Sequence, residues 1–114
     1  MSLADRELLS HVLSEIEVLD ELFEKKSFDE VVNDKFLART LVRCLEVIGE
    51  ATRKLSDDFK SLHPVVAWRE ISDTRNKIIH DYSGIDYEII RNIISNDIPE
   101  LHFQIKKIIL ENSF

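Results

Sequence analysis

The sequence predicts an all-α fold, an up-and-down bundle of four to five helices. Three observations carry that prediction. Two glycines and two prolines in 114 residues leave little material for the many tight turns of a sandwich or barrel. The apolar residues, 44% of the chain, recur at steps of three and four rather than in alternation. Charged residues fill much of the space between them, as the wet face of an amphipathic helix requires.

The first helix is expected over residues 8–23, where Leu9, Val12, Leu13, Ile16, Leu19 and Phe23 form one stripe. Ser2 with Asp5 resembles a capping box that would start it. The stretch KKSFDEVVND interrupts the stripe and is read as a connection with a short helical turn; Lys25-Lys26 reads as a solvated turn. A second helix follows over 34–55, with Phe36, Leu37, Leu41, Cys44, Leu45, Ile48 and Ala51 as its buried side. Gly49 lies inside it at a cost of about 1 kcal/mol against alanine, so either another element approaches closely or the glycine is simply tolerated. SDDFKSLHP is a loop with one helical turn, and Pro64 suits the first positions of a third helix, from 65 or 67 to about 80. Trp68 belongs to its core side. Ser83-Gly84 ends that helix, Asp86 caps a fourth over 87–95, and Asp97 with Pro99 starts a fifth or kinks the fourth.

No repeat, low-complexity tract or linker divides the chain, so residues 1–114 read as a single domain. Cys44 is the lone cysteine; it lies on an apolar stripe and has no internal disulfide partner, which fits a reducing cytosol. The opening MSLADRELLS carries Asp5, Arg6 and Glu7 where a secretory signal would need an apolar core, and no apolar run has the length of a membrane span. A cytoplasmic location is therefore expected. The net charge of −7 argues against a broad, non-specific grip on nucleic acid and leaves room only for a local basic site.

The most informative stretch is RNKIIHDY, residues 75–82. At ~100° per residue, Arg75 and Tyr82 project in nearly the same direction, and Asn76 and His80 form a second neighbouring pair. Arg75 and His80 differ by about 140°, so a regular helix would not join them. Either the helix loosens before Ser83-Gly84, or two copies of it meet across a dimer; the second is preferred, because a small bundle with a partly apolar flank has reason to dimerise. Sharing a cleft, these groups suit phosphodiester cleavage in RNA. Histidine can take the proton of a ribose 2′-hydroxyl or give one to the leaving oxygen. Arginine offers a permanent charge and a planar fork of donors to the crowded phosphate. Asn76 would hydrogen-bond the phosphate or orient His80, and the Tyr82 hydroxyl would hold substrate. No metal or cofactor is needed, and His11, His63, His80 and His102 form no ligand-spaced pair. Spacing alone does not select this chemistry: a histidine and a tyrosine near a helix end more often cap or pack, and such an arginine is usually a surface charge.

The motif matches R-N-x-x-x-H-x-Y and resembles the signature of HepT-like proteins in the HEPN superfamily. Ile48-Gly49-Glu50-Ala51 is similar to the family's "IGEA", His63-Pro64-Val65-Val66-Ala67-Trp68 to its "HP-x-x-x-W", and Asp97-Ile98-Pro99-Glu100-Leu101 to its "D-x-P-x-L". The resemblance implies a single HEPN-like helical domain that forms a homodimer, with the motif helices of two protomers lining a shared cleft. It implies a metal-independent endoribonuclease that is the toxin of a type VII toxin–antitoxin pair. The partner it implies is an MntA-like nucleotidyltransferase antitoxin that transfers AMP to the motif tyrosine, here Tyr82. By matching position, Arg75 and His80 become the catalytic pair and Asn76 a supporting residue.

The alternative is a non-catalytic HEPN interaction module that binds the nucleotidyltransferase and is AMPylated on Tyr82. RNA affinity would rest on a local patch from Arg69, Arg75, Lys77, Arg53 and Lys54. Asp81 is expected to point away from the cleft or to hold His80. Glu50 either pairs with an arginine such as Arg75 or is simply solvated.

Overall fold

In the computed structural model, which describes residues 1–80 and 84–112, the Ser2 hydroxyl accepts the Asp5 N–H at 3.0 Å and starts helix α1 (Leu3–Leu22). Only half of the expected capping box forms. The Asp5 carboxylate turns instead to Ser56, whose backbone N–H and hydroxyl donate to it at 2.9 and 2.7 Å. Ser56 in turn caps helix α4 (Asp57–Leu62), so one buried carboxylate fastens the start of α1 to the start of α4.

Between them lie α2 (Phe28–Asn33), closed by a complete Ser27–Glu30 capping box, and α3 (Lys35–Lys54), capped by Asp34. The linked Asp5 and Ser56 show that α1 and α3 run antiparallel, and their facing stripes make the centre of the core: Leu9, Val12 and Ile16 against Leu41, Leu45 and Ile48. Phe36, expected on the buried side, is 72% exposed. It stands about 140° around the helix from Leu41 and falls off the stripe. Cys44 is buried as expected, and burial pushes its thiol up to about 12, aided by a hydrogen bond to Glu15 and by that carboxylate's charge.

The third predicted helix departs most from expectation. Pro64 falls in a turn rather than at a helix start, and α5 (Trp68–Ser72) begins only at Trp68. Trp68 is buried against Phe59, and its indole N–H donates to the His63 carbonyl at 3.0 Å. The backbone then pauses at Asp73 (φ −90°, ψ 8°) before α6 (Thr74–Ile78). The helix does not reach residue 80. Ile79 is extended, and β1 (Ile79–His80) pairs antiparallel with β2 (Gly84–Ile85), Ile79 opposite Ile85 and His80 opposite Gly84. Two β-branched residues in a row favour extended backbone, and Gly84 at φ +98° supplies a conformation side chains resist. The Asp86 N–H closes the return on the Ile78 carbonyl at 2.8 Å.

Asp86 then caps α7 (Tyr87–Asn92) as expected. The chain stays helical through a wide π turn, Ile93–Asp97, into α8 (Ile98–Glu111). The Ile98 N–H bonds the Ile93 carbonyl five residues back, and Pro99 next in line has no N–H to give. Asp97 and Pro99 therefore lie within one continuous helical run. Ile98, Leu101, Ile105 and Ile108 of α8 complete the core, and Arg91 reaches across from α7 to Asp29 and the Phe28 ring of α2. Among the described residues the fold is all-α apart from the two-residue ladder, and no helix is long and apolar enough to cross a membrane.

Candidate functional site

The position of the motif starts from Gly49. A Cβ there would lie 3.2 Å from the Ile71 carbonyl oxygen and 3.5 Å from that of Ser72, so close approach is what the glycine serves. Around this contact the Thr52 and Ser72 hydroxyls stand 3.3 Å apart, and the Arg53 guanidinium donates to the Ser72 carbonyl at 3.3 Å. Thr74 is buried and donates to the Ile71 carbonyl. The end of α5 is thereby pinned to α3, and α6 leaves it with Arg75 facing back along α3.

Arg75 reaches Glu46, Nε to Oε2 at 3.4 Å, with the arginine side chain 68% exposed and the glutamate 26%. Glu50 is engaged elsewhere, with Arg53 at 3.9 Å and Lys54 at 3.8 Å. The carboxylate that meets Arg75 therefore lies one helical turn before Glu50. With its guanidinium largely exposed the pair is worth little stability, so its consequence is orientation: the guanidinium is steadied and still open to an incoming anion.

His80 stands on β1, where leaving the helix turns it away from the direction that helical spacing predicts. Its Nε2 is 3.2 Å from Oδ2 of Asp86, and the ring is half exposed. Oδ1 of the same carboxylate accepts the Glu88 and Ile89 N–H groups, each at 3.1 Å. The Ile89 N–H is the main cause holding the Asp86 carboxyl below its ordinary range; desolvation works against it, and His80 adds to the depression. Asp86 is therefore an ionised acceptor at neutral pH. A neutral His80 that donates to this carboxylate carries its proton on Nε2.

Asn76 turns its amide to Asp73 at 2.6 Å, so the group that orients His80 is Asp86. Lys77 donates to the Glu70 carbonyl at 2.9 Å. Asp81 and Tyr82 lie outside the described residues. Asp86 and Glu46 are the two residues that sequence reasoning missed in these roles. The signal for Asp86 was its capping position just past Gly84; that for Glu46 was its place one turn before Glu50 on the same face.

A pocket of about 230 Å³ opens between Leu45, Ile48, Ile71, Ile93 and Ile98, but neither Arg75 nor His80 lines it. Among the described residues no three His, Cys, Asp or Glu side chains gather as a metal ion would require. The site thus offers two solvent-open groups, a fixed cation and a proton carrier, each set by its own carboxylate. That pairing suits reactions in which negative charge builds on an oxygen while a proton moves.

Residues 12–108 match the family model described as Ribonuclease HepT-like. A protein of Caldanaerobacter subterraneus subsp. tengcongensis, named as a candidate RNase, is 44% identical over 91% of this chain and 93% of its own. A protein of Thermococcus cleftensis, whose name proposes the ribonuclease HepT, is 33% identical over 95% of this chain and 98% of its own. A protein of Methanocaldococcus jannaschii, also named as a candidate RNase, is 38% identical over 91% of this chain and 86% of its own. No solved structure matches the chain.

Proposed function

The chain belongs to the HepT-like ribonuclease family, and from that premise we propose that it is a metal-independent endoribonuclease, the toxin of a HepT/MntA-type toxin–antitoxin pair. The observation that carries the reading is His80, held at Nε2 by an ionised Asp86 on an exposed strand directly after the helix that bears Arg75. The ribose 2′-oxygen attacks the adjacent phosphorus. A 2′-O–P bond forms as the P–O5′ bond breaks, giving a 2′,3′-cyclic phosphate and a free 5′-hydroxyl. The His80 imidazole takes the 2′-hydroxyl proton, and an imidazolium returns one to the departing 5′-oxygen. Arg75 lays its donors on the non-bridging phosphate oxygens, exchanging Glu46 for the anion. Asn76 and Tyr82 support the substrate.

In this reading the protein works as a homodimer in the cytoplasm, the motif segments of two copies sharing one cleft. His80 of one copy serves as base while that of the other serves as acid. The antitoxin is an MntA-like nucleotidyltransferase that silences the site by transferring AMP to Tyr82.

The test is cleavage of RNA by purified protein in EDTA. His80→Ala and Arg75→Ala variants that keep full activity would remove the mechanism. Inert wild-type protein whose Tyr82 nevertheless gains the mass of AMP on co-expression with the nucleotidyltransferase would make it an interaction module instead.

A further inference from the structure

Of the described cations, those on α6 and at the end of α3 are engaged: Arg75 with Glu46, Lys77 with the Glu70 carbonyl, Arg53 and Lys54 with Glu50. Three nearer the start of α3, Lys35, Arg39 and Arg43, are not. Among the described residues, the side chains of Lys35 and Arg39 have no ion pair or hydrogen-bond partner, and both line one groove of about 600 Å³. Val32, Val42 and Ile85 give it an apolar lining, and Tyr87 borders it. Its lining also includes Glu46, the partner of Arg75, and Ile85, the strand neighbour of Ile79 and next to Asp86. The groove is therefore continuous with both halves of the candidate site.

We propose that this groove is the subsite for single-stranded RNA flanking the cleaved bond, with Lys35 and Arg39 on its phosphates and a base seated against Tyr87. The inference rests on the ribonuclease reading and extends it to the form of RNA taken. Lys35 and Arg39 are one helical turn apart, about 6 Å along the axis, which lets each meet a neighbouring phosphate of a flexible strand. An apolar lining beside an aromatic ring accepts the face of an unstacked base, which a duplex keeps inside its stack. The volume falls within the roughly 300–1,000 Å³ of ordinary ligand sites. A groove of this kind also reconciles RNA binding with a net charge of −7: two unspent cations act beside an apolar seat, with no need for a basic surface.

The experiment measures binding of a 2′-O-methyl strand of about ten nucleotides, which cannot be cleaved through its 2′-oxygen, across a range of salt, with cleavage of the ordinary RNA measured in parallel. Lys35→Ala/Arg39→Ala is expected to weaken binding at least tenfold at low salt and to reduce the log–log salt slope by about 1.4, or ~0.7 per lost phosphate. Tyr87→Leu, which keeps apolar bulk, is expected to weaken binding about tenfold with the slope unchanged, and to leave binding of a duplex of equal length as it was. Circular dichroism confirms that each variant is folded.

If wild-type protein cleaves RNA while the double variant binds with unaltered affinity and slope, the groove is wrong and the ribonuclease reading survives. If wild type binds the strand with the expected slope yet cleaves nothing, the groove stands and that reading falls. A Tyr87→Leu loss equal on strand and duplex overturns the base seat.

Discussion

Asp5 and Asp86 are aspartates at helix starts, and both are held below the ordinary carboxylate range, yet the two regions they occupy do different things. Asp5 is 4% exposed and meets the N–H and hydroxyl of Ser56, donors that never titrate near neutrality. Burial is the largest influence on it and pushes its pKa up; the hydrogen bonds from Ser56 and Ser2 outweigh that. Asp86 is partly exposed and places one oxygen on a helix cap and the other on an imidazole. A depressed carboxyl is therefore no mark of a functional site by itself. What separates the two is the partner: fixed donors make a seam, and a titratable ring makes a group that can exchange protons.

The sharpest way to break the comparison is at the ring. His80→Ala is expected to lower RNA cleavage by roughly 10²–10⁴-fold, as loss of a general acid–base does, with little change in melting temperature. A cleavage assay beside a thermal melt reads both. Asp5→Ala should do the reverse. Losing a buried charged acceptor while stranding the Ser56 donors costs about 2 kcal/mol, near thirtyfold in the folding constant, with cleavage per folded molecule unaltered.

The same seam sets an acid limit. Because the folded pKa of Asp5 is depressed, its contribution is present above about pH 4 and lost as pH falls through the lower folded value. Denaturant titrations from pH 6 to pH 2 should show wild type losing more stability than Asp5→Ala. At Asp86, replacement by Asn keeps a cap acceptor and removes the charge that fixes the His80 tautomer. Cleavage should drop about tenfold with a shifted pH profile, and melting should move less than for Asp5→Ala. The smallest effect is expected at Glu46. Glu46→Gln frees Arg75 from a competing carboxylate, and substrate KM should change by about two- to threefold with kcat nearly constant.

The long helices are legible because burial writes itself into spacing: the α1 and α3 stripes are nearly those observed, and Asp86 caps as its type suggests. Phe36 was misplaced because it adjoins the stripe without lying on it. The end of α6 was hidden because Ile78 and Ile79 satisfy a helical pattern and a strand pattern equally. Only the Gly84 return and the Ile79–Ile85 pairing, a contact between segments, decide for the strand. The same limit explains Glu46. Spacing gives the face of α3 that looks toward the motif, but not how far α6 is slid along it; that is set by the Gly49–Ile71 contact. Glu50 and Glu46 were equivalent until that register was known.

Cys44 faces Glu15 in the middle of the α1–α3 seam, buried and with its thiol pushed to about 12. A reagent that attacks only thiolates will pass the closed molecule by and modify it when those two helices part. As the chain's single sulfhydryl, it makes the protein carry its own clock for breathing, readable without adding any label to the surface that bears Arg75 and His80.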